Sequence, residues 1–395
     1  MGSKFDALNE SPLNFALPEM ATGLSVEFMR RQSEAKGKRL PVIYKRVPRA
    51  VEYLPDGGVQ FNVFAPEAKT VEVGGRPGAL WGQKKHPLEA VGDGWFSGTM
   101  YDIPAGFQYM NYYIDGVETL YGRAPIGYGF GLAVNFVDVP DPELDFYDYK
   151  EVPHGAVRQE FYRSEYEDRV RCCWVYTPPG YDEHPERQYP VWYIQHGGGE
   201  NEIGWFWQGK INLILDNLIA EGKCREMLVV SNAGYVYRKD SDEEAFLPGD
   251  LGEVLRRDCI PFIEKRFRAI PEKSARALSG LSMGAFQAQW ECYHHPETYD
   301  YVGVFSGACL KNLTDNPFDT TAFLTAEKAE WLNSSFKLLF FAKGMEEGGA
   351  ELLQDYEELK RRGIRAEVYT CPGVHEWQVW RKTALVFAQK LFKDL

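Results

Sequence analysis

The sequence predicts a two-part chain of α/β class: a small all-β sandwich, then a larger unit built on a mostly parallel sheet. Three observations carry this reading. At 395 residues the chain exceeds what one typical core organises, so two domains are expected. Residues 46–140 show short aromatic and β-branched runs broken by Gly, Pro and Asp, without a helical period. Beyond residue 157, apolar strand-like runs alternate with stretches whose apolar residues recur at helical spacing, the rhythm of a sheet covered on both faces by helices.

Residues 1–45 read as a lead-in with one short helix around "SVEFMRRQSEA". In 46–140 the candidate strands are 59–64, 70–73, 95–101, 107–114 and 134–138, and "IDGVE" (114–118) reads as a hairpin with an Asp-Gly turn. Residues 141–157, rich in Pro and Asp, read as a linker, and 158–395 form the second domain. There "RVRCCWVYTPP" and "YPVWYIQHGGG" are strands, "KINLILDNLIAEGK" is a helix and "EMLVVSNA" a strand. "DLGEVLRRDCIPFIEKRF" places Leu251, Val254, Leu255, Phe262 and Ile263 along one helical face. The strand "ARALSG", a helix from Met283, the strand "YVGVFSG", a helix near 321–332 and the strand "KLLFFAKG" follow. A helix at 350–362, the strand "AEVYTCPG" and a helix at 377–392 complete the order.

Composition narrows the function. A net charge of −13 with no basic stripe argues against nucleic acid as a partner. No apolar run reaches membrane-spanning length, and "MGSKFDALNESPLNFALPEM" lacks the apolar core of a secretion signal, so a cytoplasmic protein is expected. The seven cysteines show no CxxC spacing and read as reduced thiols packed as small hydrophobes. With neither HExxH nor a nucleotide-binding glycine fingerprint, no metal and no organic cofactor are expected. The sequence leaves the oligomeric state open, a homodimer included.

The stretch "ALSGLSMGAFQAQWECYHHPE" (277–297) holds Ser282 in a GxSxG, between a predicted strand and a predicted helix. In that context the glycines let strand and helix approach, and the turn presents Oγ at the carboxyl edge of the sheet. The amide of Met283, near a helix N-terminus, then faces the place where an oxyanion forms. The alternative is a structural Gly-Ser bend. A serine nucleophile needs a base. Of the seven histidines, His86 and His154 lie in the sandwich and linker, His184 in a polar turn, and His294 and His295 at the far end of the helix beside Ser282. His196 precedes three glycines. His375 in "CPGVHEWQVW" stands after the last strand, where the order Ser…acid…His of an α/β-hydrolase places its base. The acid is expected after "KLLFFAKG", at Glu347 rather than Glu346, with Asp355 an outsider. "HGGGENEIGWFWQG" (196–209) offers unobstructed amides for the other half of an oxyanion hole, Gly198 first and Gly199 second. Trp205, Trp207, Tyr235 and Trp377 cluster at predicted strand ends and are candidate substrate-binding walls.

Together "VRCCWVYTPPGYD", "YPVWYIQHGGGENEIGW", "NLILDNLIAEGK", "ALSGLSMGAFQAQW", "VFSGA" and "PGVHEWQVWR" resemble the esterase D-like hydrolases of carbohydrate esterase family one, which includes feruloyl and acetylxylan esterases. The resemblance covers nearly all of 155–395. It implies an α/β-hydrolase fold, Ser282 as nucleophile, His375 as base, and the amides of Met283 and Gly198 as the oxyanion hole. "GGVQFNVFAPEAKTVEV" onward resembles an immunoglobulin-like early-set domain akin to glycogen-binding modules. Two positions depart from the family pattern: Ala285 stands where a second Gly is usual after the serine motif, and "GMEE" replaces a Gly-x-Glu-Asp loop, leaving Glu347 at the acid's place. The implied activity is hydrolysis of feruloylated plant oligosaccharides through an acyl-enzyme. Acetylxylan, siderophore (enterochelin-like) and thioester substrates are rivals. A competing class is a carbohydrate-binding protein with a degenerate hydrolase half, in which Trp81, Trp95, Tyr109, Tyr112 and Tyr113 would stack on sugars.

Overall fold

The computed structural model describes residues 48–76, 80–237, 244–245, 248–310 and 319–395. The lead-in helix expected near "SVEFMRRQSEA" lies outside them. The chain separates into two compact units, one running to Gly127 and from Ala133 to Asp141, the other holding Tyr128–Leu132 and Pro142–Leu395.

Nine strands form the first sheet: β1 (Val51–Tyr53), β2 (Val59–Phe64), β3 (Val71–Gly75), β4 (His86–Gly92), β5 (Trp95–Met100), β6 (Gly106–Ile114), β7 (Val117–Thr119), β8 (Ile126–Gly129) and β9 (Leu132–Val139). Their order is β1-β2-β5-β4-β3-β6-β9-β8, with β7 on β6. Alternation drives these strands: Val59, Phe61 and Val63 of β2 are buried, as are Val71 and Val73 of β3. The expected sandwich is modified in one respect. β4 pairs with both β5 and β3, with a register shift between Ala90 and Gly92, so the two halves are one continuous sheet around one core. Trp81 and Tyr112 belong to that core at 7% and 0% exposure, which removes them as sugar-stacking surfaces.

The second sheet has the order β10-β11-β13-β12-β16-β17-β18-β19. β10 (Ala156–Ser164) and β11 (Arg169–Thr177) form an antiparallel hairpin, and β11 runs antiparallel to β13 (Leu228–Asn232). From β13 onward, β12 (Val191–Gln195), β16 (Arg276–Leu281), β17 (Tyr301–Phe305), β18 (Leu338–Gly344) and β19 (Glu367–Cys371) are parallel. Every residue of β12, β13 and β17 is buried, the signature of strands covered on both faces. A two-stranded ladder, β14 (Val236–Tyr237) with β15 (Glu244–Ala245), stands apart.

In chain order the helices are α1 (Gly204–Trp207), α2 (Ile211–Ala220), α3 (Pro248–Val254), α4 (Ile260–Arg266), α5 (Met283–His294), α6 (Ala329–Ser335), α7 (Gly349–Arg361) and α8 (Trp377–Ala388). One layer buries Leu251, Val254, Ala285, Ala288 and Cys292 against the sheet. On the other, Phe387 of α8 meets Trp192, Phe305 and Phe340 at centroid separations of 5.4, 5.4 and 5.3 Å. The single helix expected over 250–267 is interrupted by a π turn, Leu255–Cys259, just before Pro261, whose missing N–H breaks the regular ladder. The helix expected near 321–332 is two 3₁₀ turns followed by α6. All seven cysteines are free thiols.

Candidate active site

Ser282 sits between β16 and α5 with φ 52° and ψ −115°, a conformation costly for a residue with a Cβ. Close approach holds it there. A Cβ on Gly280 would lie 2.4 Å from the backbone of Gly284, and one on Gly284 would lie 2.6 Å from the His196 carbonyl oxygen. Both glycines of the motif are therefore demanded by backbone-to-backbone packing. The Ser282 N–H continues the ladder to the Phe305 carbonyl at 2.9 Å. The serine is partly exposed, and its Oγ has no hydrogen-bond partner among the described residues.

Two strands away, β18 ends at Gly344 and the 3₁₀ turn Met345–Glu347 folds the Glu347 side chain back toward the sheet. Its Oε1 accepts from the Gly344 N–H at 2.7 Å and from the Ser306 hydroxyl at 2.6 Å. Its Oε2 lies 2.7 Å from Nδ1 of His375. Burial raises the Glu347 pKa, but hydrogen bonds from His375, Ser306 and Gly344 outweigh it and hold the carboxyl below its ordinary value. The acid is thus ionised and triply held. With Nδ1 donating to it, the His375 Nε2 is the lone-pair nitrogen, and the ring stands edge-on to Trp380 at 5.1 Å. Glu346 is turned elsewhere: its carboxylate accepts from the Gly373 N–H at 2.6 Å, tying the acid loop to the histidine loop. Asp355 accepts from the Leu310 amide at 3.1 Å. Glu347 is the glutamate at the imidazole.

Ser306, absent from the sequence-based set, completes this half. It is buried at the end of β17 with φ 53° and accepts from the Trp380 indole N–H at 2.8 Å while donating to Glu347. Its only sequence signal is its place at a strand end in "VFSGA". His375 and Ser282 occupy the same carboxyl edge of the sheet, and no hydrogen bond joins them in this structure. Such links commonly tighten only when substrate binds.

The 196–200 loop follows β12. His196 is fully buried, and burial pushes its imidazole down to about 4, so it is neutral. Its Nε2 accepts from the Gly234 N–H at 2.8 Å, which leaves Nδ1–H to donate to the Gly197 carbonyl at 2.8 Å. Because the peptide is planar and trans, gripping the Gly197 carbonyl turns the Gly198 N–H the opposite way. The Gly197 N–H goes to Glu200 at 3.1 Å, and the Gly199 N–H to the Tyr235 hydroxyl at 2.6 Å. Gly199 is therefore corrected as an alternative oxyanion donor: its amide is spent. The amides of Gly198 and Met283 have no partner among the described residues. A Cβ on Gly198 would lie 4.0 Å from that of Met283, so the two residues are neighbours.

Two predicted substrate walls are also corrected. Trp205 and Trp377 are 0% and 1% exposed. They meet edge-to-face at 5.2 Å, and their indole N–H groups donate to the Gln195 carbonyl and to Glu200, both at 2.9 Å. They fill the space beneath the glycine loop and cannot stack on a ligand. Trp207 and Tyr235 are partly exposed. Tyr235 in turn stands on a buried platform, since Arg171 donates to its carbonyl at 3.2 Å and pairs with Glu167.

A serine on a strained strand–helix turn, with a carboxylate-bound histidine and a pair of unspent amides at the same sheet edge, is the arrangement that acyl transfer on an α/β-hydrolase fold uses. The family model named Esterase matches residues 164–390, and the chain belongs to that family. Among curated proteins it is 32% identical over 348 residues to the endo-1,4-beta-xylanase/feruloyl esterase of Xylanibacter ruminicola, covering 86% of this chain and 45% of that protein. It is 31% identical over 145 residues to endo-1,4-beta-xylanase Y of Acetivibrio thermocellus, covering 33% of this chain and 12% of that one. The chain thus spans less than half the length of these curated relatives. Among solved structures, a ferulic acid esterase from Anaeromyces mucronatus with ferulic acid superposes with TM-score 0.53 at 22% identity, over 64% of this chain and 96% of that one. The enterobactin esterase of Shigella flexneri gives TM-score 0.57 at 14% identity, over 92% of this chain and 98% of that one. These structural likenesses establish the fold. No helix among the described residues is long and apolar enough to cross a membrane.

Proposed function

We propose that this chain is a serine carboxylic-ester hydrolase that releases hydroxycinnamate, ferulate above all, from feruloylated plant oligosaccharides. His375 Nε2 takes the Ser282 proton as Oγ attacks the ester carbonyl, and Glu347 stabilises the imidazolium. The amides of Met283 and Gly198 receive the oxyanion. The imidazolium then protonates the leaving alkoxide, and water hydrolyses the acyl-enzyme by the same route. The observation that carries this reading is the 2.7 Å Glu347–His375 pair at the edge where Ser282 is held at φ 52°. The feruloyl preference is supported by the relative whose name includes that activity. The first unit we read as an immunoglobulin-like early-set module, on its antiparallel sheet around one core.

The test is turnover of methyl ferulate, an acetylated xylo-oligosaccharide and a catecholate ester by wild type and Ser282→Ala. Ferulate is expected to be the best substrate, and the variant to retain its fold and lose turnover. Undiminished hydrolysis by Ser282→Ala removes the mechanism. A catecholate ester as best substrate favours a siderophore esterase, the reading supported by the wider coverage of the enterobactin esterase fold.

A further inference from the structure

Three turns in this chain share one backbone: Asp93-Gly94 at φ 50° and 78°, Asp115-Gly116 at 50° and 81°, and Phe130-Gly131 at 59° and 77°. Positive φ at both central residues is the pattern of tight two-residue hairpins, which Asp-Gly and Asn-Gly adopt readily. Two of the three turns have the favoured aspartate. The third has phenylalanine, which is strained in that region, and leaves it 51% exposed. Turn stability does not account for this residue, and neither does burial.

Its surroundings do. Tyr128–Leu132 belongs to the same compact unit as the candidate active site. The Gly131 N–H donates to the Gly199 carbonyl at 2.9 Å, and the Tyr128 N–H to Gln208 Oε1 at 2.8 Å. A Cβ on Gly199 would lie 2.8 Å from the Phe130 nitrogen and 2.9 Å from its Cα. Gly199 directly follows Gly198, whose amide is one of the two unspent donors. An apolar turn is therefore pinned to the outer side of the oxyanion loop, with Tyr128 and Leu132 flanking Phe130 at 40% and 46% exposure.

Sheet order says which part of an ester meets it. A leaving alkoxide must sit at His375, beyond β19, whereas the oxyanion loop follows β12, on the opposite side of Ser282. With the alkoxide on the His375 side, the β12 side is left open to the acyl substituent. Of the other aromatics at this edge, Trp205 and Trp377 are buried and cannot receive it, while Trp207 and Tyr235 are partly exposed and the Tyr235 hydroxyl is held by the Gly199 amide. The segment Tyr-Gly-Phe-Gly-Leu carries no charge, which suits a neutral aromatic ring.

We propose that the Phe130-Gly131 turn, with Tyr128 and Leu132, is the acyl-binding wall of the ester site and receives the aromatic ring of the hydroxycinnamoyl group. This rests on the ester-hydrolase reading above. The test compares 4-nitrophenyl ferulate with 4-nitrophenyl acetate, which differ only in the acyl group, on the full chain and on Phe130→Asn and Tyr128→Ala. Asparagine suits the turn better than phenylalanine, so the melting temperature of Phe130→Asn should hold or rise. The ratio of kcat/KM for ferulate to that for acetate is expected to fall about tenfold in Phe130→Asn, mainly through KM, and less in Tyr128→Ala. A ratio unchanged within about twofold in both variants overturns the wall and leaves the esterase reading standing. A wild type that cleaves the acetate and refuses the ferulate overturns the hydroxycinnamoyl reading, and this assignment with it.

Discussion

The two sides of the candidate site are held by different means. Around Ser282 and the 196–200 loop the fixing agent is backbone contact: glycines pressed to 2.4–2.6 Å of what a Cβ would meet, and a buried neutral histidine gripping a carbonyl. Around Glu347 and His375 it is side-chain hydrogen bonding, a chain running Trp380–Ser306–Glu347–His375. The first side is intolerant of added atoms and, with His196 held neutral down to about 4, indifferent to pH near neutrality. The second has close backbone approach too, since a Cβ on Gly344 would collide with the Gly373 carbonyl oxygen, and it adds a chain of polar groups in which each holds the next.

Substitutions can break that contrast. The largest effect on turnover is expected on the hydrogen-bonded side: Glu347→Gln should lower kcat by about 10²–10⁴-fold with the melting temperature little changed, because the imidazole loses its orienting anion. Rates and calorimetry on one preparation decide it, and a variant within tenfold of wild type removes Glu347 from the mechanism. On the backbone side, Gly284→Ala should act through folding, costing about 2–3 kcal/mol by overpacking against His196 and Gln195. Urea denaturation reads it, and a stable, inactive variant would contradict the steric account.

Ser306→Ala should be milder, lowering kcat about tenfold by leaving Glu347 Oε1 and the Trp380 indole each one partner short. Ser306→Thr, which keeps the hydroxyl, should recover part of that loss, and failure of both to differ from wild type would show the hydroxyl to be packing only.

The smallest effect concerns Glu376, beside the base. Burial is the main cause that pushes its carboxyl up to about 7. A folded-state pKa above the unfolded one means that its stabilising contribution is complete below about 4.5 and is lost as pH rises through about 7. Glu376→Gln should therefore flatten the decline of stability between those values by about 1–2 kcal/mol, allowing for solvent screening. Denaturation midpoints across that range measure it. An equal slope in both proteins sinks the assignment.

What could be read from the sequence followed the same division. Ser282 was legible because its steric demands are contiguous: the glycines that matter are its own neighbours. His375 emerged by elimination and chain order. Glu347 was placed on its loop and preferred to Glu346, but the physical reason for that preference is the 3₁₀ turn that folds one side chain to the imidazole and the other to Gly373. Trp205 and Trp377 were misread because strand-end position does not say which way a side chain on the following helix turns. β10 was missed because its polar, half-exposed edge-strand pattern imitates a linker. Phe130 carries no signal of its own; its meaning arises from contact with Gly199, which only the fold supplies.

Labelling with a fluorophosphonate ester followed by peptide mapping tests the central claim most directly. A single phosphonyl adduct on the peptide carrying Ser282 is expected in wild type, formed at least about 100-fold more slowly in His375→Ala. No adduct, an adduct on another serine, or labelling of Ser282 at the same rate without His375 would contradict it.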